Sequence, residues 1–139
     1  MQKKLLSFIY IPLSIVAILL IFSINGTPLF SDYGLNGEVY LKSYSSSCKI
    51  LKNDERGFLA EIYKTGEATE VNSADAERIL KDFSATTVFI EETDGIKEIF
   101  AYSKKIRYKK RINGKIINLH IITTKNTVKV GSPIIFGSF

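Results

Sequence analysis

The chain has 139 residues, a net charge of +5, one His, one Cys and no Trp. A single Cys excludes an intrachain disulfide, and one His with one Cys leaves too few ligands for a zinc site. The net charge conceals a division: Asn53 to Glu98 carries twelve acids and five bases, whereas Ile99 to Phe139 carries nine bases and no acid.

In chain order, MQKK is followed by an uncharged stretch from Leu5 to Ile24. Twenty helical residues span about 30 Å, the thickness of a bilayer's hydrocarbon core. Lys3 and Lys4 precede the stretch, and the next charge is Asp32. Because positive charge stays on the cytoplasmic side, the N-terminus is expected inside and the rest outside. Pro12 lies within the stretch, which a membrane helix tolerates. The rival reading is a cleaved signal peptide, whose shorter apolar region would end in a small-x-small site. Phe22-Ser23-Ile24-Asn25-Gly26 is a poor site, and no Cys closes the run as a lipid anchor would need. The expected organisation is a transmembrane signal-anchor over residues 1–24, a juxtamembrane linker over 25–37, and an extracytoplasmic α+β domain over 38–139. The linker reading rests on the close spacing of Gly, Pro, Asn and Ser in NGTPLFSDYGLNG.

EVYLKSYSSSCKIL then alternates as a strand, with Val39, Leu41 and Ser43 on one side and Tyr40 and Lys42 on the other. Ser45-Ser46-Ser47 interrupts it, and Cys48 reads as a small buried residue in preference to a free thiol open to an intermolecular bond. Phe58, Leu59, Ile62 and Tyr63 have helical spacing, with Asn53 or Asp54 as cap and Gly66 as stop. GEATEV, from Gly66 to Val71, reads as a short strand.

NSADAERILKDFSA is the clearest helix. Asn72 or Ser73 can cap it, and Asp75 and Glu77 suit its positive dipole end. Ala76, Ile79, Leu80 and Phe83 share one face, which needs a sheet to cover. TTVFIEE and IKEIFAYS flank Asp94-Gly95, and IRYKKRI and KIINLHIITT flank Asn113-Gly114. Each reads as a hairpin with a two-residue turn. Lys125-Asn126 turns into TVKV. Helix plus successive antiparallel strands give an α+β domain.

The segment from Lys104 to Lys115 holds seven Lys or Arg among twelve residues and no acid. Read as a strand, it sends Ile106, Tyr108, Lys110 and Ile112 one way and Arg107, Lys109 and Arg111 the other. The second row is the candidate anion-binding face. Glu91, Glu92, Asp94 and Glu98 on the neighbouring strands are available to pair with it.

TGEATEV, LKDFSA, VFIEETDG, AYS, INGKIINLHI and VKVGSPIIFGSF occur here in one order. In this they resemble the YwmB-like family of exported Gram-positive proteins with a TATA-box-binding-protein-like fold. The resemblance runs from Gly37 to the C-terminus and matches only the C-terminal of two related halves. It implies a curved antiparallel sheet packed against one main helix, and no known catalytic residues. Either the chain is a single-repeat member, or a homodimer supplies the second half. The fold label describes shape, and fold does not carry function.

Little suggests chemistry. His120 shares a strand face with Ile116, Asn118 and Ile122 and reads as a satisfied sheet residue rather than a base or ligand. Glu91 and Glu92 point to opposite faces, so they cannot form a carboxylate pair. Ser45-Ser46-Ser47 lacks the glycines of a nucleophile elbow, and no phosphate loop occurs. No catalytic residue, cofactor or metal is expected. The expected function is a non-enzymatic, membrane-anchored binding or interaction module of the cell envelope. Its partners are the membrane through residues 5–24 and an anionic envelope polymer, lipid headgroup or protein surface. Nucleic acid is not expected outside the membrane. The alternatives are an envelope enzyme with a site built from scattered residues, and a cleaved secreted protein.

Overall fold

A computed structural model of the chain describes residues 2–25, 28–33, 37–41, 49–52, 55, 60 and 63–136, and the side chains of these except 2–9, 22–25 and 49. The expected turn at Ser45-Ser46-Ser47 and Cys48 lie outside the described residues. So does most of the helix expected between Asn53 and Gly66.

The N-terminal helix α1 runs over Gln2–Asn25 with Pro12 inside it. Its described side chains, Tyr10 to Ile21, are all exposed. These twelve residues make about 18 Å of helix. Among the described residues no helix is long and apolar enough to cross a membrane. Leu5–Ile9 and residues 22–24 of the expected anchor lie outside the described side chains.

Among the described residues nine strands follow, with a helix between the third and the fourth. They are β1 (Gly37–Leu41), β2 (Lys49–Lys52), β3 (Lys64–Val71), α2 (Ser73–Asp82), β4 (Thr86–Thr93), β5 (Ile96–Tyr102), β6 (Lys110–Ile112), β7 (Lys115–Ile117), β8 (Leu119–Thr123) and β9 (Val128–Ser132). Seven form one sheet in the order β2-β1-β3-β9-β8-β5-β4, while β6 and β7 pair separately. The pairings are antiparallel throughout. The fold is therefore α+β, with a seven-stranded antiparallel sheet and a helix packed on it.

The amphipathic pattern of α2 decides which way it faces. Ala76 and Ile79 are buried, and Leu80 and Phe83 pack beside them. They meet Ala101, Leu119, Ile121, Val128 and Val130, which alternate off β5, β8 and β9 toward one face. Burial of one such side chain as large as Ile79 contributes about 1.5–3 kcal/mol. The N-terminus of α2 is closed by the backbone carbonyl of Asn72, which accepts from Asp75 and Ala76. The Asn72 side chain makes no capping bond. At the other end Ser84 takes φ 49°. The Ala85 amide donates to the Leu80 carbonyl and the Ser84 amide to that of Lys81, which is a Schellman closure.

The segment expected to be a linker is partly core. Phe30 is 3% exposed and packs with Ile79, Leu119 and Ile121. Its ring meets Phe83 edge-on at 5.9 Å. The Tyr33 hydroxyl donates to Asp82 at 2.8 Å, which with partial burial raises the Tyr33 pKa. The Leu29 amide donates to the carboxylate of Glu67. Of this segment, residues 28–33 are neither helix nor strand. The apolar side chains among them tie it down.

Gly66 does not stop a helix; it lies inside β3, which begins at Lys64. A Cβ there would sit 2.8 Å from Cδ of Pro133, and one on Gly131 would sit 2.6 Å from Cγ1 of Ile135. Both glycines clear a trough on the sheet face away from α2. Beyond the cis Ser132-Pro133 peptide, the C-terminal segment lies in it. Ile135 and Phe136 there cover Tyr40, Ala68 and Ile122 as a second, smaller core.

Candidate anion-binding site

The basic segment is not one strand. After Tyr102 the chain leaves the sheet and becomes strand again only at Lys110. Asn118 is the cause. It is fully buried. Its Oδ1 accepts the Ser103 amide at 2.7 Å, and its Nδ2 donates to the carbonyls of Ser103 at 2.6 Å and Ile106 at 3.0 Å. One side chain thus satisfies three backbone groups that a neighbouring strand would otherwise take. The Ser103 hydroxyl donates to the Phe83 carbonyl at 2.5 Å, joining this bend to the end of α2. KIINLHIITT is divided at the same residue, into β7 and β8.

The expected single row of Arg107, Lys109 and Arg111 is therefore divided, although all three side chains are exposed. Arg107 lines an open cleft of about 540 Å³ on the α2 side, with Pro28, Leu29, Phe83, Lys105 and Tyr108. Lys109 places Nζ 5.6 Å from the ring of Tyr102. Tyr102 follows Ala101, which faces α2, so alternation sends its ring to the opposite face. Arg111 donates to the Gly114 carbonyl at 3.1 Å within its own turn. Both turns have their central residues at positive φ, namely Asp94, Gly95, Asn113 and Gly114, as a two-residue hairpin of this kind requires.

The strand acids expected opposite the row have other cross-strand neighbours. Glu92 lies across from Lys97 and Glu91 across from Glu98 in the β4–β5 pairing. Glu98 holds His120, with Nε2 at 3.0 Å from the carboxylate. Register explains this: β6 pairs with β7 rather than with β4 or β5.

Three lysines of the segment lie over aromatic rings instead. Besides Lys109 on Tyr102, Lys110 is 5.0 Å from the ring centre of Phe136 and Lys115 is 5.5 Å from that of Phe89. Phe89 stacks on Phe100 at 4.4 Å, and Phe100 on His120 at 4.2 Å. A cation over an exposed ring contributes about 0.5–1 kcal/mol, so these contacts orient the hairpin more than they stabilise it.

His120 is 4% exposed. Its Nδ1 accepts the Ile135 amide at 3.2 Å, so the ring proton belongs on Nε2 and is donated to Glu98. Burial pushes its pKa down to about 4. A neutral imidazole with both nitrogens engaged is a structural joint between β8 and the C-terminal segment. Among the described residues no three His, Cys, Asp or Glu side chains are grouped to hold a metal ion.

At the floor of the Arg107 cleft, Lys64 and Glu67 form an ion pair at 2.8 Å, with both side chains at most 5% exposed. Glu67 also receives the Leu29 amide, so the carboxylate joins β3 to the segment that follows α1. Lys105 donates to the Asp82 carbonyl at 2.7 Å, at the negative end of α2. Sequence parity missed this cleft. Four separated segments build it, and the only signal was Leu29 and Phe30 inside a presumed linker.

No family model, curated protein or solved structure matches this chain.

Proposed function

We propose that the chain is a membrane-anchored, extracytoplasmic binding module without catalytic activity, held to the bilayer by α1. The exposure of α1 supports this reading best. Tyr10, Ile11, Leu13, Ile15, Val16, Ile18, Leu19, Leu20 and Ile21 are each 45–62% exposed. They cover more than three helical turns, so every side of the helix is apolar. A helix apolar all round is at home in lipid or a protein interior, not in water. The uncharged run continues from Leu5 to Ile24 in the sequence, and Lys3 and Lys4 before it orient the N-terminus inward.

The sheet domain then works by binding. Among the described residues its basic segment is distributed over a cleft and a hairpin rather than converged on a reacting centre. The resemblance to YwmB-like proteins fits the same reading, with this sheet and α2 as one half of a TATA-box-binding-protein-like arrangement and an anionic envelope component as partner. The test is retention of the full chain in membranes washed with alkaline carbonate. The anchored reading expects the chain to stay in the pellet, and release into the supernatant would contradict it.

A further inference from the structure

The cleft between Arg107 and the segment after α1 has its position set by chain length. Helix α1 ends at Asn25, and Leu29 is fixed to Glu67. The four residue steps between them reach at most about 14 Å. The headgroup layer beyond the hydrocarbon edge takes up about half of that reach. If Ile24 marks that edge, Leu29 lies within about a Debye length of the membrane surface, whatever path the intervening residues take. Pro28 and Leu29 are walls of the cleft, so its mouth shares that position.

The mouth carries the side chains that suit such a surface. Lys105 and Arg107 are exposed, Lys104 is exposed beside them, and Tyr108 is half-buried. Cations and tyrosine are the groups that settle at an anionic headgroup layer. Asp32 is the opposing carboxylate on the rim, while the Glu67 charge is already met by Lys64. The Lys105 ammonium gives one hydrogen to Asp82 and retains two for another acceptor.

We infer that this cleft seats the phosphate of an anionic lipid headgroup between Lys105 and Arg107, so that the domain lies on its own anchoring bilayer. The inference rests on the anchored reading of α1. It assigns Arg107 a role separate from Lys109 and Arg111, which lie over the far face and in the hairpin turn.

The chain has no Trp, so Tyr108→Trp gives a single reporter at the mouth. The full-length variant is reconstituted into phosphatidylcholine vesicles with or without phosphatidylglycerol, each doped with headgroup spin-labelled lipid. Strong quenching is expected only with phosphatidylglycerol, and it should fall as salt rises. In Lys105→Gln with Arg107→Gln, the docked-to-undocked ratio should fall about fivefold per neutralised cation. Arg107→Lys should retain most of the quenching. If the double variant melts early, Arg107→Gln alone decides the matter, because it leaves Lys105 on Asp82. Equal quenching in both lipids, or quenching indifferent to Arg107, would overturn the inference while leaving the anchor intact. Reversal by free inorganic phosphate would overturn it too, because the occupant would then be a soluble anion. Failure of the chain to stay with the vesicles would sink the anchored reading and this inference together.

Discussion

Phe30 meets Phe83 edge-on, with ring centroids 5.9 Å apart. One ring belongs to the segment that leaves α1 and the other to the last turn on α2. The contact makes Phe30 part of the domain core, and Leu29, Phe30 and Tyr33 are each held by a different partner.

Truncating Phe30 should therefore destabilise the sheet domain, although it precedes the first strand. The residue is 3% exposed, and deletion of a buried Phe ring costs about 3–5 kcal/mol. Thermal melting of Phe30→Ala should show a much lower midpoint than wild type. The half-buried Phe83 should cost less on truncation, about 2–3 kcal/mol. An unchanged midpoint for Phe30→Ala would mean that the segment is a free spacer after all.

Asn118→Leu fits the volume but offers no hydrogen bonds. It strands the Ser103 amide and the carbonyls of Ser103 and Ile106 in a buried site. The loss should be about 3–4 kcal/mol, since each abandoned backbone group costs about 1–3 kcal/mol. Amide exchange at Ser103 should accelerate more than at Ile121 in the sheet. Uniform acceleration across the sheet would argue that Asn118 contributes only packing.

Stability should fall in mild acid because of His120. Its pKa is lowered from 6.5 to about 4 in the folded chain. Between those values the unfolded chain binds the proton and the folded chain does not, so stability is full above the upper value and declines as pH drops toward the lower. The decline should reach on the order of 3 kcal/mol. Denaturant titrations at a series of pH values should show the slope, and His120→Gln should flatten it. A slope that persists in the variant would belong to other groups.

Neutralising Lys109 and Arg111 together should change stability by about 0.5 kcal/mol or less, because both are exposed. It should also leave headgroup quenching of the Tyr108→Trp chain unaltered. Quenching lost with Lys109 and Arg111 rather than with Arg107 would restore the strand-parity row as the binding face.

Local features were legible in the sequence where the cause is local. Asp94-Gly95 and Asn113-Gly114 demand positive φ, so both hairpins could be placed from their turns. The apolar spacing of Ala76, Ile79, Leu80 and Phe83 announced α2 and its buried face. What failed depends on residues far apart in the chain. Asn118 looks like an ordinary alternating strand residue until Ser103, fifteen positions earlier, is seen against it. Gly66 resembles a helix stop, yet its role is to admit Pro133 from the other end of the domain. Strand parity assumes an unbroken strand, so it united Arg107 with Lys109 and Arg111 across a bend it could not see.

The anchored reading places the N-terminus inside and the sheet domain outside. Lys125→Cys in a Cys48→Ser background places one thiol in the exposed turn between β8 and β9. Intact cells are then treated with a membrane-impermeant maleimide. Full labelling of Lys125→Cys is expected before lysis, and no labelling of a Cys placed at Gln2. Labelling of the turn only after the cells are broken open would contradict it.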